Sequence, residues 1–155
     1  MTTATSDPRG LPLTLRELEV VELIAEGRSN EAIGAELGVA SRTVKAHLLH
    51  AGSKAGTRDR AGILGHAILT GKVRIATGRP VPDGFDRDHF EVLVRIARGK
   101  SNATIADELG VTLDSAKYRV QKLLALFGVR SREEAVAAGF ACGVLRAVPR
   151  QRVAP

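Results

Sequence analysis

The chain has 155 residues and a mass of 16.4 kDa, room for one domain or two small ones. Lys+Arg number 23 against 17 Asp+Glu, so the net charge is +6 and the sequence pI about 10.1, a balance that favours a polyanionic partner such as nucleic acid or a membrane surface. A hydrophobic share of 44% excludes wholesale disorder, and the lone Cys142 excludes an internal disulfide and a Cys-rich zinc site. No apolar run approaches the ~20 residues that span a bilayer, and Met1–Gly10 has no apolar signal core, so a soluble cytoplasmic protein is expected.

Shifted against itself by 72 residues, the chain matches at sixteen positions between Glu19 and Arg60 without a gap. Among them, Gly27-x-Ser29-Asn30 meets Gly99-x-Ser101-Asn102, and Leu37-Gly38-Val39 meets Leu109-Gly110-Val111. Lys45 meets Lys117, and Gly56-x-Arg58-x-Arg60 meets Gly128-x-Arg130-x-Arg132. Such a repeat predicts two units of one architecture. Between them Ile75–Phe85, with Gly78, Pro80, Pro82 and Gly84, reads as a linker. Met1–Gly10 and Val148–Pro155 read as loose tails, the second carrying Arg150 and Arg152 beyond Arg146.

Taken in chain order, the apolar positions follow a helical period. Leu15, Leu18, Val21, Leu23, Ile24 and Ala25 form the first stripe, ending at Gly27. Thr14 and Glu17 make a capping box at its start, with Leu13 and Leu18 as a hydrophobic staple. In the second unit Asp86 takes the cap position, and Phe85 and Phe90 the staple. Second helices are expected over Asn30–Leu37 and Asn102–Leu109, closed by Gly38 and Gly110, with Val39 and Val111 pinning the turn. Third helices follow over Ser41–Ala55 and Leu113–Phe127; Thr112 is a good cap and Ala40 a poor one. Fourth helices follow over Arg60–Leu69, capped by Asp59, and Arg132–Leu145, capped by a Ser131–Glu134 box. Two short helices joined by a glycine turn mark a helix-turn-helix. The fold class is therefore all-α: two small four-helix helix-turn-helix domains in tandem, at 11–74 and 86–147, joined by the Pro/Gly linker 75–85. Ala51, Gly52 and Ala55 stand where the second unit has Leu123, Leu124 and Phe127. A mid-helix glycine costs ~1 kcal/mol, so the first unit is expected to lean on the second.

The run Leu13-Thr14-x-Arg16-Glu17-x-Glu19-Val20, then Gly27-x-Ser29-Asn30-x-x-Ile33, Leu37-Gly38-Val39, Thr43-Val44-Lys45-x-His47 and Gly56-x-Arg58-x-Arg60 resembles the LuxR-type (GerE-like) DNA-binding domain of bacterial regulators. The second unit keeps the glycine, Ser-Asn, lysine and arginine positions and departs at Ser115-Ala116, Arg119 and Leu126. The resemblance implies a transcription regulator that binds double-stranded DNA and needs no cofactor. Members usually carry one such domain behind a sensor, whereas about 130 residues of this chain are two such units.

In a helix-turn-helix the second helix of the motif enters the major groove. Side chains at i, i+1 and i+4 share its outer face: Lys45, Ala46 and Leu49, then Lys117, Tyr118 and Gln121. The resemblance implies that these positions read bases; Tyr118 has a core position as its alternative. Lysine suits guanine O6 and N7, glutamine suits adenine, and an apolar side chain suits the thymine methyl. Phosphate contacts are expected from Ser29, Asn30, Arg42, Thr43, His47, Lys54 and Arg58, and from Ser101, Asn102, Ser115, Arg119, Lys122 and Arg130. Arg60 and Arg132 either join them or pair with an acidic side chain. The eleven linker residues span at most roughly 36–40 Å, which matches half-sites ~34–36 Å apart. Family members dimerise through the fourth helix, and Ala61, Gly62, Gly65, Ala137, Ala138 and Gly139 are small enough for close approach. One chain is thus expected to act as a covalent pseudo-dimer, a homodimer being the competing arrangement. No catalytic grouping stands out, and His47 and His50 lack the further ligands of a metal site. The rival to DNA binding is an antagonist or adaptor that binds RNA polymerase or another regulator.

Overall fold

A computed structural model describes residues 12–146. It contains eight helices: α1 (Leu15–Ala25), α2 (Asn30–Leu37), α3 (Ser41–Ala55), α4 (Arg60–Leu69), α5 (Arg87–Ala97), α6 (Asn102–Leu109), α7 (Leu113–Phe127) and α8 (Arg132–Ala141), with no strand among the described residues. The tails expected at Met1–Gly10 and Val148–Pro155 lie outside the described residues.

Local signals explain most boundaries. Thr14 and Glu17 form the full capping box at α1. At α5 the box partner of Asp86 is His89, whose ring nitrogen meets the Asp86 N–H at 3.3 Å. Phe85 stacks on His89 and meets Phe127 at a tilt, while Phe90 is exposed, so the staple expected between Phe85 and Phe90 is replaced by an aromatic cluster. Thr112 caps α7 and Ala40 makes no side-chain cap at α3. The Ser131–Glu134 box is incomplete: the Glu134 carboxylate accepts from the Ser131 hydroxyl, not from its backbone N–H. Leu15 is 81% exposed and leaves the core stripe to Val20, Val21, Leu23 and Ile24.

The last helix stops four residues earlier than expected, at Ala141, because Gly143 turns left-handed (φ +77°) and the Leu145 N–H closes onto the Gly139 carbonyl. Gly71, 72 residues earlier, has φ +74° and plays the same part after α4. Cys142 therefore follows the helix, is half-buried, and offers its thiol to the Gly139 carbonyl.

The halves are packed together. Within each half, the first helix packs on the third and the second on the third (α1 on α3, α2 on α3; α5 on α7, α6 on α7). Across the halves, α4 packs on α8 and on α5, while α1 packs on α8. A Cβ at Gly62 would stand 2.6 Å from the Gly99 Cα, and one at Gly65 would overlap the Ala97 carbonyl oxygen. At the matched place on the other side, the Glu134 side chain covers Gly27. The nearest neighbours of Gly139, Leu93 and Leu145, belong to its own half. Residues 75–85 are not a free tether, since the Gly78 and Arg79 N–H groups donate to the Ala141 carbonyl. The Arg79 guanidinium donates to the Phe127 carbonyl and lies over its ring. A span set by chain length alone gives way to a packed seam.

Candidate nucleic-acid interface

The turn between α2 and α3 is held by Gly38 in the left-handed region and by the Val39 N–H, which donates to the Gly34 carbonyl. Val39 is half-buried against the core, and Val44 and Leu48 fix the inner face of α3. Lys45, Ala46 and Leu49 are consequently exposed along its outer face, Leu49 at 59%. An exposed leucine of that degree is a site for apolar contact. Lys45, Leu49 and Arg58 converge on one hollow of about 190 Å³. Beyond it, Leu49, His50, Ser53 and Arg58 line a second, of about 520 Å³. α3 carries Arg42 and Lys45 on its exposed face and no acidic residue, so that face is attractive to phosphate.

Residues 12–67 thus present a basic, partly apolar helix beside a tight turn, and residues 11–67 match the model of the family described as bacterial regulatory proteins, luxR family. Residues 11–67 form a helix-turn-helix domain of the LuxR type. Fifty-three curated proteins match the chain. Among them is the transcriptional regulatory protein LiaR of Bacillus subtilis (strain 168), 50% identical over 48 residues, or 31% of this chain. The chain spans 23% of the length of that curated relative. No solved structure matches the chain at a significant level.

The second half repeats the helix order and packing of the first with other side chains. Lys117, Tyr118 and Gln121 are exposed on α7, Tyr118 at 63%, which excludes its core alternative. The Lys122 ammonium lies 5.5 Å from the centre of the Tyr118 ring, a cation–π distance. Tyr118, Ser115, Arg119 and Lys122 edge a cleft of about 300 Å³ whose far wall is Asp86, Asp88 and His89. The His89 ring and the backbone at the α5 start hold the Asp86 carboxyl below its ordinary value, the backbone N–H of His89 contributing most.

Of the residues expected at phosphates, Arg42, Arg58, Lys122 and Arg130 are exposed, and Thr43, His47, Ser115 and Arg119 are half-buried. Four are committed to the fold, and Lys54 is a fifth. Ser29 and Ser101 accept the Ala32 and Thr104 N–H groups as helix caps. Asn30 and Asn102 accept from Arg60 and Arg132. Lys54 is withdrawn from the phosphate set: its ammonium donates to the Glu17 carboxylate at 2.7 Å and to the Pro12 carbonyl at 3.0 Å. Burial drives the Glu17 carboxyl upward, but the Lys54 bond and the Thr14 N–H outweigh it, leaving a net value below the ordinary one. A phosphate would have to displace a buried carboxylate to reach Lys54, which costs several kcal/mol.

Arg60 and Arg132 are structural. Each donates to the asparagine of its own half and to a backbone carbonyl, Arg28 or Lys100. Each then reaches across the seam, Arg60 to Glu133 and Arg132 to Asp59, both at 3.9 Å. Their matched Nε atoms are both buried without a hydrogen bond. The partners across the seam are not equivalent, since Glu133 and Asp59 correspond to Ala61 and Ser131 in the 72-residue register; only the bonds that each arginine makes within its own half recur.

Proposed function

We propose that the chain is a sequence-specific transcription regulator that binds double-stranded DNA, with 11–74 and 86–147 acting as two LuxR-type units. On this reading it works in the cytoplasm as a covalent pseudo-dimer, with α3 and α7 in adjacent major grooves. The supporting observation is the seam between the halves, in which α4 packs on α5 as α8 packs on α1, and Glu134 covers Gly27 where Gly62 meets Gly99. Such packing would set two reading helices over the two half-sites of an imperfect palindrome. Lys45, Ala46, Leu49, Lys117, Tyr118 and Gln121 read bases. Arg42, Thr43, His47, Arg58, Ser115, Arg119, Lys122 and Arg130 hold phosphates, aided by the helix starts at Ser29 and Ser101.

Fluorescence anisotropy on duplex fragments, followed from low to high salt, tests this. Several phosphate contacts give a log–log slope of about −0.9 for each one. Light scattering of the free protein should give the mass of a single chain, 16.4 kDa. A flat salt response, or a dimer at every concentration, counts against the reading. The acidic wall of Asp86 and Asp88 beside Tyr118 favours a second reading, an adaptor whose second half binds RNA polymerase or another regulator. It predicts that Lys117→Ala leaves DNA affinity unchanged.

A further inference from the structure

Resting on that reading, we propose that the chain binds a non-palindromic operator in a single orientation, with Tyr118 and Gln121 reading their half-site differently from Ala46 and Leu49. The seam repeats its helix packing on both sides, α4 on α5 and α8 on α1, so on that reading equal side chains meet equal bases and unequal ones meet unequal bases. Lys45 and Lys117 are equal and exposed, and each suits a guanine. One turn further along, the halves diverge. Leu49, 59% exposed, suits a thymine methyl, whereas the exposed Gln121 carboxamide pairs with adenine N6 and N7.

Position 46 differs as strongly. Ala46 leaves the groove floor open, while at its counterpart Tyr118 projects a ring 63% exposed and steadied by Lys122. The surroundings differ as well: the hollow at Leu49 is edged by the cations Lys45, Arg58 and Arg60, whereas the cleft at Tyr118 sets Asp86 and Asp88 against Arg119 and Lys122. Nor are the halves interchangeable at the seam. α4 brings Gly62 and Gly65 against Gly99 and Ala97, where α8 brings Glu134 and Ala137 to the matched places. One chain therefore holds one copy of each reading face in a fixed order, and the bound complex has a direction.

The test is selection of duplexes from a random pool by the full chain, beside the double variant Tyr118→Ala with Gln121→Leu. Both substituted side chains are exposed, and circular dichroism checks that the variant is folded. The wild type should select two unlike half-sites, each with a guanine, and should bind a palindrome of either half about 5- to 150-fold more weakly. The variant should shift its selection toward a palindrome of the first half-site. A palindrome chosen by the wild type, or an unchanged choice by the variant, overturns the proposal while leaving DNA binding intact. No selection of any sequence by the wild type overturns the underlying reading of function instead.

Discussion

α3 and α7 have the same length, the same glycine at the C-terminal end and the same place in their halves, yet they are fastened by different chemistry. In the second half, Leu123, Leu124 and Phe127 fill the space inside α7, and Phe127 reaches Phe85. In the first, Ala51 and Gly52 let the following turn collapse onto α3, so that a Cβ at Gly52 would overlap the Thr57 carbonyl oxygen. The helix ends differ in the same way: Glu17 and Lys54 tie α1 to α3 by a buried ion pair, where the aromatic cluster of Phe85, His89 and Phe127 ties α5 to α7. Side-chain volume and backbone proximity are thus alternative solutions to one packing problem. A glycine that looks like a weakness in a helix can be what lets a neighbour approach.

The largest break in that comparison is Phe127→Ala. Phe127 is 2% exposed, and its loss should cost about 3–5 kcal/mol in urea unfolding, while Ala55 at the matched place offers no such side chain to remove. Next is Lys54→Met, which strands the Glu17 carboxylate, 3% exposed; a loss of about 3 kcal/mol at pH 7 is expected. The pH dependence has a definite sign. Because Glu17 titrates below its ordinary 4.5 in the folded chain, its pairing stabilises above that value and is lost as pH falls through the folded value. Without Lys54 this pH-dependent contribution disappears, so the stability advantage of the wild type over Lys54→Met, followed by urea unfolding, should shrink as pH falls below 4.5.

Gly52→Ala sharpens the comparison at a smaller scale. Helix propensity alone predicts a gain of ~1 kcal/mol, whereas the contact with Thr57 predicts a loss of about 1–3 kcal/mol. A shift of the denaturation midpoint to lower urea decides for the contact. Leu15→Ala should move it least, within about 0.5 kcal/mol, since that side chain is 81% exposed despite its place in the apolar period.

Most element boundaries were legible because they are written in local chemistry: caps at Thr14, Ser29, Asp59, Ser101 and Thr112, and glycines after α2, α3, α6 and α7. The early stop of α8 was legible too, had the 72-residue register been carried on to pair Gly71 with Gly143. The orientation of the lysine faces also follows from period alone, since Val44 and Ala116 next to them are apolar. What local pattern does not encode is where a long side chain spends its charge. Lys54 reads as a free cation, but its partner lies 37 residues away in sequence, at a helix start. The seam was legible in part, since Gly62 and Gly65 read as small enough for close approach, but their partners Gly99 and Ala97 at the end of α5 lie too far away in sequence for local pattern to name them.

The most direct measurement is the stoichiometry and footprint of the complex with a selected duplex, by light scattering combined with methylation interference. One chain per duplex is expected, with guanines protected in two adjacent major grooves, one set lost in Lys45→Ala and the other in Lys117→Ala. Two chains on one duplex, or protection in a single groove untouched by Lys117→Ala, would contradict it.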